Sequence, residues 1–232
     1  MKNLKHIFFD LDHTLWDFDK NSAETLHFLF NKYNFHLYTN ASIENFIEEF
    51  HKANRILWKA YDNNEINKHD MRTKRIEMTF EAVSLPHSQL PTSFNDEYLS
   101  ICPTKGNLLP HALEVLNYLH AKYDLHILTN GFEDIQHIKM STSGLNPFFK
   151  NVFTAEKIGL KKPDKAYFNF IIDTINTSKN ECVMIGDTYE TDILGAHHAE
   201  IKAIFFNPEN DKINAIESII EINSLLELKG IF

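Results

Sequence analysis

The chain has 232 residues, of which 43% are hydrophobic, with 19 Phe among them. That is enough apolar material for a large packed core, and it excludes a disordered chain. The formal net charge of −9 argues against a surface built for a nucleic-acid polymer or an anionic membrane, so an anionic ligand would have to be met by positive charge gathered locally.

The two cysteines, Cys102 and Cys182, have no metal-type partner spacing, and a disulfide framework is not expected in a chain of this length. Cys182 sits in the apolar run CVMIG and reads as a small core residue. The apolar run near the start is too short for a signal peptide and is followed directly by acids. No stretch approaches membrane-spanning length. The expectation is a soluble cytoplasmic protein, with no oligomeric state readable.

Five short apolar runs read as strands buried on both faces: 6–9, 125–128, 152–153, 182–185 and 201–206. Helical patterns separate the last four. Pro110 is expected to open one helix, with Leu113, Leu116 and Leu119 on its face, and Pro163 another over 164–175. Strands alternating with helices at this spacing predict an α/β fold, a doubly wound parallel sheet. Between the first two strands lies a long interval of helical periodicity. Ile43, Phe46, Ile47, Phe50, Leu57, Trp58 and Tyr61 recur at three- and four-residue steps. A single crossover does not need that length. The organisation expected is a core of residues 1–16 and 103–232 with a helical domain, 17–102, inserted after the first strand.

Each strand end carries polar chemistry. The run IFF ends in Asp10-Leu11-Asp12, and ionised carboxylates at the end of a buried strand are expensive unless paired, hydrogen-bonded or metal-bound. The second run ends in Thr129-Asn130-Gly131, a candidate phosphate seat at a helix N-terminus. Lys162 precedes Pro163, which restricts its backbone to an extended conformation. The fourth run leads into Gly186-Asp187-Thr188-Tyr189-Glu190-Thr191-Asp192, whose acids suit a hard divalent cation. Taken singly, each segment also suits an ordinary strand-to-helix turn with a capping residue. Taken together at one edge of a parallel sheet, they are the parts needed for metal-assisted phosphoryl transfer through a covalent intermediate.

In that order, DLDHTL, LTNG, KKPD and GDTYETD resemble the four motifs of the haloacid dehalogenase superfamily. The helical insert resembles its first-type cap, with a Rossmann-like core below. Asp12 favours phosphatases over true dehalogenases. The resemblance implies Asp10 as nucleophile and Asp12 as the acid that protonates the leaving oxygen and then activates water. It implies Mg²⁺ on Asp10, the Asp12 backbone carbonyl and Asp187, with Asp192 supporting the metal's waters or orienting Lys162. Thr129, the Asn130 backbone, Gly131 and Lys162 would hold phosphoryl oxygens.

DHTLWDF, NRILWKAYDNNEINKHDMRTKR and TNGFEDIQHIKMSTSGL further resemble the bacterial pyrimidine 5′-nucleotidase branch. The implied partner is a small phosphorylated metabolite, a nucleoside monophosphate first. Phosphoglycolate or sugar-phosphate hydrolysis, a β-phosphoglucomutase-like mutase, and a phospho-acceptor signalling protein are the alternatives. His13 stands where many relatives carry Asp, Gly or another small residue. Trp16 and Phe18 suit either a base or the core. Arg72 and Arg75 suit a substrate anion, with a solvated position as the default.

Overall fold

The structure is a computed structural model that describes residues 3–213 and 216–232. In chain order it runs β1 (His6–Phe9), α1 (Phe18–Lys32), α2 (Ile43–Asp62), α3 (Lys68–Ala82), α4 (Phe94–Ile101), α5 (Ala112–His120), β2 (Asp124–Thr129), α6 (Glu133–Thr142), β3 (Phe149–Thr154), α7 (Ala155–Ile158), α8 (Lys165–Thr174) and β4 (Cys182–Gly186). A π-helical segment, Tyr189–Leu194, leads into α9 (Gly195–His198), followed by β5 (Lys202–Phe206), β6 (Ile220–Ile222) and α10 (Leu228–Ile231). Contacts divide the chain into two compact units. One joins the residues up to Phe18 to Gly106–Phe232, and the other is Asp19–Lys105. Among the described residues, no helix is long and apolar enough to cross a membrane.

The first unit is built on a six-stranded, all-parallel sheet in the order β3-β2-β1-β4-β5-β6. The central strands are apolar on both faces because helices cover both. Ile7, Phe8 and Phe9 of β1 and Cys182, Val183, Met184 and Ile185 of β4 are fully buried. Phe8, Leu128 and Met184 share a core with Tyr167, Phe168 and Ile171 of α8. From β1 the chain winds outward through β2 and β3, then returns to pair β4 on the other side of β1. The order therefore reverses between β1 and β4, where open α/β sheets form their ligand crevice. Phe9 is level with Ile127 and with Ile185, so Asp10 emerges one residue beyond, between the ends of two neighbouring strands.

Strand β6 has no counterpart among the expected strands. It has three residues, two of them exposed, at the sheet edge, and gives too little apolar signal to read as a strand. The two prolines do not occupy first helical turns. His111, at φ 68°, and Asp164 are the N-caps, so α5 and α8 each begin two residues after the proline. The Asp164 carboxylate accepts the Ala166 N–H at 2.8 Å, which makes it the natural start. The Lys162–Pro163 peptide is cis.

The second unit is helical throughout its longer elements. Ser42 and Asn67 cap α2 and α3 by accepting the N–H groups of Asn45 and Asp70. Phe35 packs edge-on against Phe80 at 5.1 Å, and Phe30 against Phe46 at 5.3 Å. Trp58 and Tyr61, read with the α2 stripe, are only half-buried. Arg75 corrects the solvated default. It is buried, its guanidinium lies 4.8 Å from the rings of both Phe50 and Tyr98, and it donates to Asn54 Oδ1 at 2.9 Å. Arg72, on the same helix, is half-buried.

Candidate active site

Asp10 leaves β1 with its N–H donated to Ile185 O at 2.9 Å. Lys162, carried in the loop between α7 and α8, reaches across the sheet edge to meet it. Its Nζ lies 2.5 Å from Asp10 Oδ1, 2.6 Å from Asp192 Oδ1 and 2.8 Å from Leu128 O. The side chain is 2% exposed; Lys161 beside it is half-buried. Asn130 fixes the loop that presents it, because its amide donates to Lys162 O and its carbonyl oxygen accepts the Lys162 N–H, each at 2.9 Å. The Asn130 side chain is thus a brace for the lysine, a role its place in a strand-end motif did not disclose.

Thr129 is buried, and its Oγ1 accepts the Gly131 N–H at 2.9 Å. Accepting that bond with one lone pair leaves its own O–H to donate. A Cβ at Gly131 would lie 1.7 Å from Gln136 Nε2, so a side chain there would displace the Gln136 amide.

One oxygen each from Asp10, Asp187 and Asp192 lies within 4.8 Å of the others. Asp187 is held by Thr14, and the Asp192 carboxylate folds back over Gly186, accepting the Thr188 N–H at 3.1 Å. The cluster holds three carboxylates and one lysine, which meets two of them, so negative charge is in excess. Burial pushes Asp187 up to about 6, with Asp192 adding repulsion while His13, Thr14 and Lys162 pull the other way. Burial likewise raises Asp10, against the pull of Lys162. Burial alone would lower Lys162, but Asp10 and Asp192 outweigh it and keep it charged. Hard oxygen donors carrying uncompensated negative charge fit a divalent cation such as Mg²⁺.

Asp12 stands outside this cluster. Its carboxylate oxygens lie 2.6 and 2.8 Å from Lys139 Nζ, and Gln136 Nε2 is 3.4 Å from Oδ2. Sequence reasoning missed both partners. They lie beyond the end of the LTNG match but inside TNGFEDIQHIKMSTSGL, so the segment stood out while the two residues did not; their i, i+3 spacing on one helical face is the added hint of a joint role. Thr14 was missed as well, although it lies within DLDHTL.

Trp16 is fully buried, with Lys139 Nζ 4.4 Å from its ring and Phe18 edge-on at 6.2 Å. His13 adopts φ 60°, the left-handed region that costs a residue bearing a Cβ some strain. Its ring lies 5.1 Å from that of Phe18.

The chain has counterparts among known proteins. A family model described as haloacid dehalogenase-like hydrolase matches residues 4–200. The chain is 28% identical to the pyrimidine 5′-nucleotidase YjjG of Escherichia coli, over 96% of this chain and 95% of that protein. It is 32% identical to the pyrimidine 5′-nucleotidase PynA of Streptococcus pneumoniae, over 89% and 85%. Among solved structures, the HAD-hydrolase YfnB of Bacillus subtilis, crystallised with bound magnesium, superposes with a TM-score of 0.85 at 28% identity, over 99% of this chain and 98% of that one.

Proposed function

The chain belongs to the haloacid dehalogenase-like hydrolases, and on that premise we propose that it is a Mg²⁺-dependent phosphomonoesterase acting on nucleoside monophosphates, pyrimidine nucleotides foremost. The observation that carries the chemistry is the joining of Lys162 to both Asp10 and Asp192, with Asp187 in the same carboxylate cluster. The likeness to YjjG and PynA over most of the chain supports the substrate class.

In this reading a carboxylate oxygen of Asp10 forms a bond to phosphorus as the bond from phosphorus to the leaving oxygen breaks, and Asp12 gives that oxygen its proton. Water then attacks the same phosphorus, Asp12 takes a proton from it, and the Asp10–phosphorus bond breaks to release phosphate. Lys162, the Thr129 hydroxyl and the backbone N–H of Asn130 hold the phosphoryl oxygens, at the N-terminal side of α6. Gly131 supplies clearance for Gln136. Mg²⁺, held by the Asp10 and Asp187 carboxylates and the Asp12 backbone carbonyl, would neutralise charge on the transferring group. Asp192 orients Lys162. The sheet-bearing unit is the catalytic core and the helical unit the substrate-selecting cap.

The test is a panel of phosphorylated metabolites assayed with and without Mg²⁺. Nucleoside monophosphates should head the ranking by kcat/KM, and Asp10→Asn should remove turnover while leaving the circular dichroism spectrum unchanged. A ranking led by sugar phosphates or phosphoglycolate would reassign the substrate. Binding of phosphate esters with no turnover would instead favour a phospho-acceptor protein.

A further inference from the structure

Lys139 is the second buried lysine of the sheet-bearing unit, and the metal and phosphate chemistry makes no use of it. It is 5% exposed, and it meets both oxygens of Asp12 and no other carboxylate among the ion pairs described. The aromatic rings of Trp16 and Phe18 stand 4.4 and 6.0 Å from its Nζ. Gln136, 2% exposed and one helical turn earlier on α6, brings Nε2 to 3.4 Å from Asp12 Oδ2. The Gln136 amide occupies the space a Cβ at position 131 would take, 1.7 Å from its Nε2, so Gly131 lets the amide sit where it does.

A buried ammonium facing two rings and one carboxylate is costly unless that carboxylate stays in place. A chain that needed only charge balance could place the lysine at the surface, where its rotamers stay free. Here the aromatic walls fix the ammonium, the ammonium fixes both carboxylate oxygens, and Gln136 adds a third hydrogen bond from the same helix. A carboxylate held at three points has one orientation.

We propose that Lys139, assisted by Gln136, is a positioning residue that sets the Asp12 carboxylate in the orientation from which it delivers the proton to the leaving oxygen. The proposal rests on the phosphomonoesterase reading and on Asp12 as its proton carrier. Lys139 acts through Asp12 and does not touch the phosphoryl group. Its loss therefore matters in proportion to how much the leaving group needs a proton.

The experiment measures release of the leaving group in a single turnover of the full chain with Mg²⁺, which reads only the step that breaks the ester. Phenyl phosphate departs as a strongly basic oxyanion that needs protonation, whereas 2,4-dinitrophenyl phosphate departs as a stable anion that does not. General acid assistance contributes about 10²–10⁴-fold. Lys139→Met should slow phenyl phosphate by about tenfold or more and change 2,4-dinitrophenyl phosphate by less than about twofold. Lys139→Arg, which keeps two N–H donors for the carboxylate, should recover part of the phenyl phosphate rate. In an Asp12→Asn background, Lys139→Met should add no further loss, because the two residues act on one proton. If Lys139→Met does not fold, Gln136→Leu should give the same leaving-group selectivity with a smaller loss.

Equal losses on the two esters, or losses that add fully to those of Asp12→Asn, would overturn the positioning role and leave the phosphatase reading standing. A wild-type protein that cleaves neither ester nor any member of the metabolite panel would overturn both.

Discussion

Thr14 and Asp187 hold each other from both directions. The Thr14 hydroxyl donates to Asp187 Oδ1 at 2.9 Å, and the Asp187 backbone N–H donates to Thr14 Oγ1 at 3.1 Å. The two residues are 173 apart in sequence, and Thr14 is fully buried. The bond pair ties the turn after β1 to the end of β4, the two strands on either side of the sheet's reversal. It also removes the rotational freedom of a carboxylate read as a metal ligand. Partners of this kind are worth about 10–100-fold in metal affinity. Thr14→Val keeps the shape and removes both hydrogen bonds. It should raise the Mg²⁺ concentration for half-maximal activity by about tenfold or more, with kcat at saturating Mg²⁺ changed less. A Mg²⁺ titration matching wild type would remove Thr14 from any role at the metal.

The excess of carboxylates over lysine predicts how metal and pH act on stability. Asp187 is pushed up to about 6 by burial, against about 3.9 in an unfolded chain. Between those values the folded state retains a proton that the unfolded state has lost. Stability of the metal-free protein therefore has a component that is present below about pH 4 and declines as pH rises through about 6. Bound Mg²⁺ replaces the proton and offsets the loss. The rise in melting temperature on adding Mg²⁺ should consequently be small at about pH 5 and larger at about pH 7.5. A Mg²⁺-induced shift that is the same at both values, or absent from both, would contradict the electrostatic account of the site.

The parts of this site that the sequence displays share one physical origin. Asp10 and Asp187 follow buried apolar strands and Thr129 closes one, so the change from apolar run to polar residue marks the sheet edge within the sequence itself. Lys162 is legible for a different reason, since a lysine locked before a proline is locally unusual. Lys139 and Gln136 carry no such local mark. Their meaning comes from the approach of α6 to the turn after β1, a contact between residues 127 and 124 positions apart. Arg75 misleads for the complementary reason. A charged residue in a polar helix reads as solvated, and only the rings of Phe50 and Tyr98 and the amide of Asn54, all from elsewhere in the helical unit, make burial possible. Edge strand β6, three residues long, is too short for periodicity to register.

Gly186 is required by a close approach rather than by its backbone angles. A Cβ there would lie 2.2 Å from Asp192 Oδ2 and 2.5 Å from its Cγ. Gly186→Ala must therefore displace the carboxylate that holds Lys162 and accepts the Thr188 N–H. Overpacking of this kind costs about 1–3 kcal/mol, and loss of the Asp192 partner removes one of the three acceptors that hold Lys162, leaving Asp10 and Leu128 O. The variant should melt lower than wild type and lose at least about tenfold in kcat/KM, the scale of a misplaced catalytic group. Wild-type activity in Gly186→Ala would mean that Asp192 does not govern Lys162.

Within strand β2, level with Phe8, His126 predicts an acid-sensitive component unrelated to catalysis. It is 1% exposed on β2, between the rings of Phe8 and Phe153. The Asn151 amide donates to its Nδ1 at 3.0 Å, which leaves Nε2–H to donate to His6 Nδ1 at 3.2 Å. That arrangement holds the neutral ring, and a second proton on Nδ1 would face the Asn151 amide hydrogens. Burial, with repulsion from His6, pushes its pKa down to about 4. An unfolded histidine titrates near about 6.5. In that window the unfolded state binds the extra proton, so stability is lost as pH falls from about 6.5 towards 4, with a slope of at most about 1.4 kcal/mol per pH unit from this group. The opposing contribution of Asp187 is removed by working at saturating Mg²⁺. Urea unfolding across that range should then give a steeper acid limb for wild type than for His126→Gln, which keeps an amide to pair with its neighbours and cannot acquire the charge. Parallel limbs for the two proteins would show that His126 takes up its proton as readily in the folded state as in the unfolded one, and that the neutral ring is not what the Asn151 and His6 contacts select.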